Sequence, residues 1–466
     1  MSNHIPAWKH VEYIETTWGE LVELRYGKGL KEYKDAVGEY PVYGTNGAVG
    51  YCDNPLCEFP SVIIGRKGAY RGVHYSDKPF YVIDTAYFVV PKYDINLKWV
   101  YYSLLTKDIN GLDSGSAIPS TRREDFYAMT AIIPPRIEQD KIVTGLDYLN
   151  AKIELNRQTN QTLEQIAQAI FKSWFVDFEP VKAKVAALSS LSPWKRAGVR
   201  GQELAEQAAI CAISGKAPEQ LAQLDSQILQ QIKSTAALFP DALVDSELWE
   251  IPEGWEISCI DDVCNFQNGY AFQSQEMSKI GIDSYKVFKM GGIKKGGGLN
   301  RDSTKDWYEK TKCEKLDRYI IKKGDLLMCM TDMKNNVALL GHTALMDVDD
   351  EYILNQRVGL LRTKNKNIAN YPFLYILTNS DFFIEDLRSR ANSGVQVNLS
   401  TKEIKETKFV LPNEKVHAEF DKLAIQLQEK IFSLEAEQDY LSELRDSLLP
   451  KLLSGEITLT NQDEAA

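Results

Sequence analysis

The chain has 466 residues, of which 44% are hydrophobic and 26% charged, with a formal net charge of −11. That length exceeds one ordinary domain, the composition supports sizeable cores, and no apolar run nears the roughly 18 residues of a membrane span. Seven scattered cysteines, five unclustered histidines and a start without a basic-then-apolar leader point to a reducing cytoplasm and away from a structural metal.

From residue 11 to 135, short runs rich in Gly, Tyr, Val and Ile predict strands. "EYPVYGTNGAVGY" carries a turn at Thr45-Asn46-Gly47. "PSVIIGRKGAYRGVHYS" gives a buried strand, Ser61 to Ile64, followed by a Gly-rich loop from Gly65 to Gly72. "FYVIDTAYFVV" is a further strand, and the paired prolines of "IIPPRIEQ" stop the strands and set up a helix start.

From Ile142 the period changes. Ile142, Leu146, Leu149, Ile153, Asn156, Asn160, Leu163, Ala167, Ile170 and Trp174 step by four and three. This is a heptad seam with two polar residues at its middle, and about 40 helical residues would run roughly 60 Å. Such a length favours a rod that links domains over a helix packed on its own domain. Residues 181–245 are rich in Ala, Gln and Leu and read as short helices with polar faces. A second strand-rich region follows, then a final helix in which Val416, Phe420, Leu423, Leu427, Leu434, Leu441, Leu444 and Leu448 keep the four-three spacing, with Lys430 and Glu437 as polar breaks.

Charge is unevenly spread. Residues 416–466 carry 4 basic and 11 acidic residues, so most of the negative surplus sits in the tail. Lys286 to Lys323 holds 12 basic and 5 acidic residues. A solvated surface is the plain reading of that run, and a phosphate-tracking patch the sharper one.

The two strand-rich regions correspond in order. "PSVIIGRKGAYRGVHYS" matches "GDLLMCMTDMKNNVALLG", "FYVIDTAYFVV" matches "EYILNQRVGLL", "SGSAIPSTRREDF" matches "SGVQVNLSTKEI", and "AIIPPRIEQDKI" matches "FVLPNEKVHAEF". Pro134 aligns with Pro412, and an offset near that separation is expected throughout. The loops differ most, and loops usually carry recognition.

In this order "IPEGWEISCIDDVCNFQNGYAF", "IKKGDLLM", "LNQRVGL", "IIPPRIEQDKI" and "LRDSLLPKLLSGEI" make the chain resemble the specificity subunits of type I restriction–modification enzymes. Each piece is weak alone. Their duplication around two heptad helices is specific, and it covers nearly the whole chain. Departures are "VLPNEKVHAEF", where a Pro-Pro and a Glu-Gln would be typical, and a long connector.

The resemblance implies an α+β fold with a pseudo-twofold internal repeat: two similar globular target-recognition domains separated by two long antiparallel coiled-coil helices. The expected layout is a first recognition domain at 1–140, a spacer helix at 141–180 and a helical connector at 181–245. A second recognition domain at 246–414, a second spacer helix at 415–455 and a tail at 456–466 follow. Each domain would read one half of a split site on double-stranded DNA, with the helices as a ruler. Expected partners are two methyltransferase subunits and restriction/translocase subunits. S-adenosylmethionine, ATP and Mg would be bound by those partners and not by this chain. The exposed apolar residues expected at the helix end for docking are Trp174, Phe175 and Phe178.

No phosphate-binding loop is present: "GGIKKGGG", Gly291 to Gly298, has the wrong spacing and reads as a flexible loop near phosphate. "NPLC", Asn54 to Cys57, lacks the second proline and the aromatic residue of an adenine-methyltransferase motif. The chain therefore reads as a non-catalytic DNA-binding subunit. A bifunctional component with a cryptic methyltransferase and a purely structural coiled-coil scaffold are the rival classes. S-adenosylmethionine binding would favour the former; absence of sequence-dependent DNA binding would favour the latter.

Base reading needs Asn, Gln, Arg, Lys, Ser or Thr on loops that enter a groove. In the first domain the candidates are Thr45 and Asn46; Arg66, Lys67, Tyr70 and Arg71; and Ser116, Ser120, Arg122 and Arg123. Gly65, Gly68 and Gly72 would let the backbone approach phosphate. In the second domain Lys289, Lys294, Lys295 and Arg301 are candidates for phosphate, and Thr331, Asp332, Lys334, Asn335 and Asn336 for base edges. Gln356 and Arg357 suit either role, and Gln396 and Asn398 match the Ser116–Ser120 loop.

Overall fold

A computed structural model describes residues 12–112, 119–191, 199–333, 337–393 and 396–459. It divides into two compact units: Met1–Gln158 with Glu435–Ala466, and Thr159–Leu434. The fold is α+β in both.

In the first unit the β-branched and aromatic runs pair as a four-stranded antiparallel sheet. Its order is Val22–Tyr26, Ala86–Pro91, Ser61–Gly65, Val73–Ser76. A three-stranded sheet (Gly47–Cys52, Tyr40–Gly44, Tyr81–Val82) and a two-stranded ladder of Ile14–Thr17 with Thr130–Ile133 complete it. Trp18, Trp99 and Phe126 lie in the core, and each buried side chain of this size contributes about 1.5–3 kcal/mol.

The second unit repeats this plan. Cys264–Asn268, Val358–Thr363, Leu326–Cys329 and Thr343–Leu345 form the four-stranded sheet. Trp307–Glu309, Ser284–Phe288 and Tyr352–Leu354 form the three-stranded one, and Glu256–Cys259 pairs with Lys408–Leu411. The strands Thr331–Met333, Gln396–Asn398 and Asn392–Ser393 add a further sheet.

The ladders correct the expected constant offset. Ile14 corresponds to Glu256, Gly65 to Cys329, Ala86 to Val358 and Ile133 to Leu411. The separation therefore widens from 242 to 264, 272 and 278, because the second unit carries longer connections between equivalent strands.

The first long helix spans Arg136–Phe171 rather than 141–180. It starts early because Pro135 presets the first turn, while Gln139 is wholly buried and its amide donates to the Pro134 carbonyl at 3.0 Å. It stops early because Lys172–Val176 widens to a π-helical turn and Phe178 adopts φ +53°. That reversal drives Trp174, Phe175 and Phe178 into the core, at 3%, 4% and 2% exposure. They are not the exposed docking groups expected. The connector is helical, at Glu179–Ser189, Val199–Ser214, Pro218–Leu221 and Ser226–Leu238.

The second long helix spans Glu414–Ser454. Within the first unit, Asn156 Nδ2 donates to Glu437 Oε2 at 2.8 Å, and Arg445 Nη1 donates to Asn150 Oδ1 at 3.0 Å. Within the second, Asn160 Nδ2 donates to the Ile431 carbonyl at 3.4 Å. Asn156 and Glu437 are thus a polar pair that fixes register. Lys430, expected as the other polar break, is exposed; the buried polar residue near it is Gln428.

Candidate nucleic-acid interface

Three segments of the first unit meet at the ends of its central strands. The Arg66 amide donates to the Thr85 carbonyl and the Thr121 amide to the Arg66 carbonyl, at 2.9 and 3.0 Å. Lys67 bridges Ser120, and the Gly68 amide donates to the Pro119 carbonyl at 2.9 Å. On this frame Arg66 and Arg123 bring their guanidinium carbons to 4.9 and 4.5 Å from the centroid of the Tyr26 ring. Tyr87 stacks against Tyr26 at 5.0 Å. Tyr26 is itself 44% exposed, so the two cations are held at the surface, each contact worth about 0.5–1 kcal/mol at such a site.

Other candidates join this cluster with different roles. Lys67 Nζ lies 3.5 Å from Asp84 Oδ2. Thr45 and Asn46 sit against the same loop: the Asn46 amide, turned to suit its neighbours, donates to the carbonyls of Thr45 at 3.1 Å and Tyr70 at 2.6 Å. Tyr70 is 79% exposed. Arg122 is exposed and engages Asp125 through two bonds of 2.7 and 3.0 Å.

Arg71 is a correction. It is buried, and its guanidinium donates to the carbonyls of Gly68, Ile109 and Asn110. Three backbone acceptors hold the charge inside, so Arg71 fastens the loop instead of reading DNA. Gly65 and Gly72 also serve packing: a Cβ on Gly65 would lie 2.6 Å from Thr45 Oγ1, and one on Gly72 2.5 Å from His74 Nε2. Burial holds His74 below its ordinary pKa, which keeps the ring neutral beneath the turn. Ser116 lies outside the described residues.

The second unit builds the same frame. The Met330 amide donates to the Arg357 carbonyl at 3.0 Å and the Leu399 amide to the Met330 carbonyl at 2.9 Å. Met330 therefore stands where Arg66 does, and Asn398, paired with Thr331, where Ser120 pairs with Lys67. Asn268 stands for Tyr26 and hydrogen-bonds Thr401, the counterpart of Arg123, at 3.0 Å. Gln356 and Arg357 are exposed at the matching turn, and Gln396 is half-buried.

Several candidates here are structural. Thr331 is buried and donates to Asn398 Oδ1 at 2.8 Å. Asp332 is buried, and its carboxylate accepts from the amides of Met333, Leu339 and Leu340, which closes the loop. Lys289 is paired with Asp306 at 2.5 Å and Arg301 with Asp347. Lys294 and Lys295 are exposed, but "GGIKKGGG" is not a free loop. The Lys294 amide donates to the Gly298 carbonyl and the Gly298 amide to the Thr343 carbonyl, and Gly296 and Gly297 line a cavity with Glu164 and Asn379. Burial raises the Glu164 carboxyl and the Lys294 charge opposes that rise. Gly296 and Gly297 of this loop thus face Glu164, Ala167 and Gln168 of the first long helix. Lys334, Asn335 and Asn336 lie outside the described residues.

Sequence reasoning missed Tyr26, Tyr87, Asn268 and Thr401. The signal was the shorter offset of the first strands, which aligns the end of "WGELVELRY" with the end of "IDDVCNFQN".

The family described as type I restriction modification DNA specificity domain matches residues 11–165 and 252–434. The chain belongs to that family. The match falls twice, once on each set of equivalent ladders. The specificity subunit of the type I restriction enzyme HindI from Haemophilus influenzae is 30% identical over 400 residues, covering 82% of this chain and 82% of that one. The MjaIX specificity subunit of Methanocaldococcus jannaschii is 23% identical over 380 residues, 79% of this chain and 71% of that one. Among solved structures, the S subunit of the type I restriction-modification system from M. genitalium shares the family fold, with a TM-score of 0.53 at 17% identity, over 97% of this chain and 98% of that one. Among the described residues no helix is long and apolar enough to cross a membrane.

Proposed function

We propose that this chain is the sequence-recognition subunit of a type I restriction–modification complex. It reads a split, asymmetric site on double-stranded DNA with one unit per half-site, and the long helices set the spacing. The observation that carries this reading is duplication with divergence. Backbone pairing at the strand ends is kept, while Tyr26, Arg66 and Arg123 give way to Asn268, Met330 and Thr401. A scaffold alone has no reason to hold cations on an exposed ring; a reader of two different half-sites does. Adenine methylation and cleavage belong to partner subunits, which would carry S-adenosylmethionine, ATP and Mg.

Two methyltransferase subunits are the proposed partners on the helices, with restriction/translocase subunits joining the complex. Ile137, Tyr148 and Leu155 are 65%, 71% and 56% exposed. Their spacing keeps them within about 20° of one helical face, opposite the buried Ile142 and Leu146. Exposed apolar residues in such a row favour a partner helix.

The test is the methylated motif. Four residues inserted after Asn156 add roughly 6 Å of helix against a rise of about 3.4 Å per base pair. A matching insertion immediately before Glu437 keeps the Asn156–Glu437 and Asn150–Arg445 bonds and the Asn160–Ile431 bond in register, because the two helices run antiparallel. The expected outcome is a spacer changed by one or two base pairs with both half-sites intact, read by sequencing the modified genome. An unchanged spacer at full activity would remove the helices as the ruler. Appreciable S-adenosylmethionine binding by the isolated chain would favour the bifunctional alternative.

A further inference from the structure

Resting on the DNA-reading role above, we propose that Arg357 is the side chain through which the second unit identifies a guanine in its half-site. Arg357 closes the turn between the strands Tyr352–Leu354 and Val358–Thr363. Its backbone is fixed on every side. The Asn355 amide donates to the Phe288 carbonyl at 3.1 Å, the Gln356 amide to the Tyr270 carbonyl at 2.8 Å, and the Arg357 carbonyl accepts from Met330 at 3.0 Å.

Within this frame Arg357 has φ +71°. Glycine enters that region freely and other residues do not. The other unit needs no such conformation: Thr85, at the equivalent place, is not among the positive-φ residues, although its carbonyl accepts the matching bond from Arg66 at 2.9 Å. A residue with a long charged side chain therefore occupies a position whose backbone favours glycine. Packing does not account for it. Phe178 also has positive φ, but it is buried in a core; Arg357 is exposed.

Nor does pairing account for it. Arg301, Arg318, Arg362, Arg388 and Arg390 each bond a neighbour. Among the described residues the Arg357 guanidinium makes no ion pair or hydrogen bond. Its donors are thus available, on a rigid turn, beside the equally exposed Gln356.

A phosphate asks only for charge, which a flexible lysine supplies. A planar guanidinium on a fixed backbone matches the paired acceptors O6 and N7 that guanine shows in the major groove. Strain retained at an exposed, unpaired side chain fits a recognition role.

The experiment uses Arg357→Gly and Arg357→Lys in the complex with its methyltransferase, with genome-wide methylation as the readout. Arg357→Gly is expected to melt no lower than the parent, since glycine suits the turn. It should lose discrimination at one guanine of the second half-site by about 10-fold to 100-fold, with the first half-site unchanged. Arg357→Lys should lose the same discrimination while keeping more of the overall affinity. An unchanged consensus in both variants would overturn the assignment, as would equal weakening on all sequences, the mark of a phosphate contact. If Arg357→Gly does not fold, Arg357→Lys alone decides. Absence of any sequence-specific methylation by the parent complex would instead overturn the DNA-reading role itself.

Discussion

The two units share a skeleton and differ at its tips. In the first, Tyr26 ends a strand opposite Tyr87 and receives two guanidinium groups. In the second, Asn268 ends the same strand opposite Gly359 and bonds a threonine. Where the first unit has the Tyr87 side chain, Gly359 makes way for its own neighbours: a Cβ there would lie 2.5 Å from the Phe266 ring and 3.2 Å from Met330 Sδ. One frame therefore supports two cations held on an aromatic ring in one unit, and a hydrogen-bonded Asn–Thr pair beside the exposed Arg357 in the other. The frame is set by backbone pairing and core burial, which tolerate change at exposed strand ends. That separation lets a recognition surface diversify without refolding.

The cores offer the strongest way to break the likeness. At the end of the first long helix, Phe175 packs in the second unit within 5.3 Å of Phe171, 5.2 Å of Phe373 and 5.0 Å of Phe420. At the end of the second helix, the matching Leu453 packs in the first unit. Phe175→Ala should cost about 3–5 kcal/mol and Leu453→Ala about 2–3 kcal/mol. Hydrogen exchange would then show each loss confined to its own unit. Equal loss of protection in both units would mean that they fold as one cooperative body.

A smaller effect should separate the tips. Arg66→Ala or Arg123→Ala removes one cation from Tyr26 and should weaken binding by about 1–3 kcal/mol, with only the first half-site relaxed. Met330→Ala and Thr401→Ala, at the equivalent places, should leave the first half-site untouched. Binding titrations on duplexes altered in one half-site at a time would decide. Arg71→Ala should behave differently from its neighbour Arg66, loosening the loop and lowering stability, because its charge is spent on three carbonyls.

These contrasts mark where sequence reasoning stopped. The heptad seam was legible because periodicity is local, and Ile142, Asn156 and Ala167 are indeed buried. The early start at Arg136 was half visible in Pro134-Pro135, whereas the π turn and the φ of Phe178 answer to a core assembled from distant residues. Among the candidate readers, Arg66 and Arg123 were legible as basic residues on loops. Their meeting on Tyr26 was not, since Tyr26 ends one strand, Arg66 follows another and Arg123 opens a short helix. Likewise nothing near Arg71 in sequence announces Ile109 and Asn110, and nothing near Lys289 announces Asp306. Charge on a loop is a local property; its partner is a tertiary one.

The smallest effect expected of the parent protein lies in the second unit's helix, where His417 and Asp421 are buried with Nδ1 and Oδ2 3.6 Å apart. Burial lowers His417 to about 4 and raises Asp421 to about 7, against unfolded values of about 6.5 and 3.9. Each shift alone would make stability depend on pH, with opposite signs. A lowered histidine contributes stability above its unfolded value that is lost as pH falls from about 6.5 toward 4. A raised carboxyl contributes stability at low pH that is lost as pH rises from about 3.9 toward 7. Between about 4 and 6.5 the folded pair and the unfolded pair each hold one proton, whichever partner carries it, so the two slopes cancel. Only the interval from about 6.5 to 7 remains, where the folded pair holds the extra proton and stability falls by less than about 1 kcal/mol. Asp421→Asn removes the compensation. The variant should then lose stability steadily as pH drops from about 6.5 toward 4, while the parent stays flat with respect to this pair. Denaturant titrations of parent and variant at pH 4.5, 5.5 and 6.5 would measure the difference directly. Parallel curves for the two proteins across that range would show that the pair does not share a single proton.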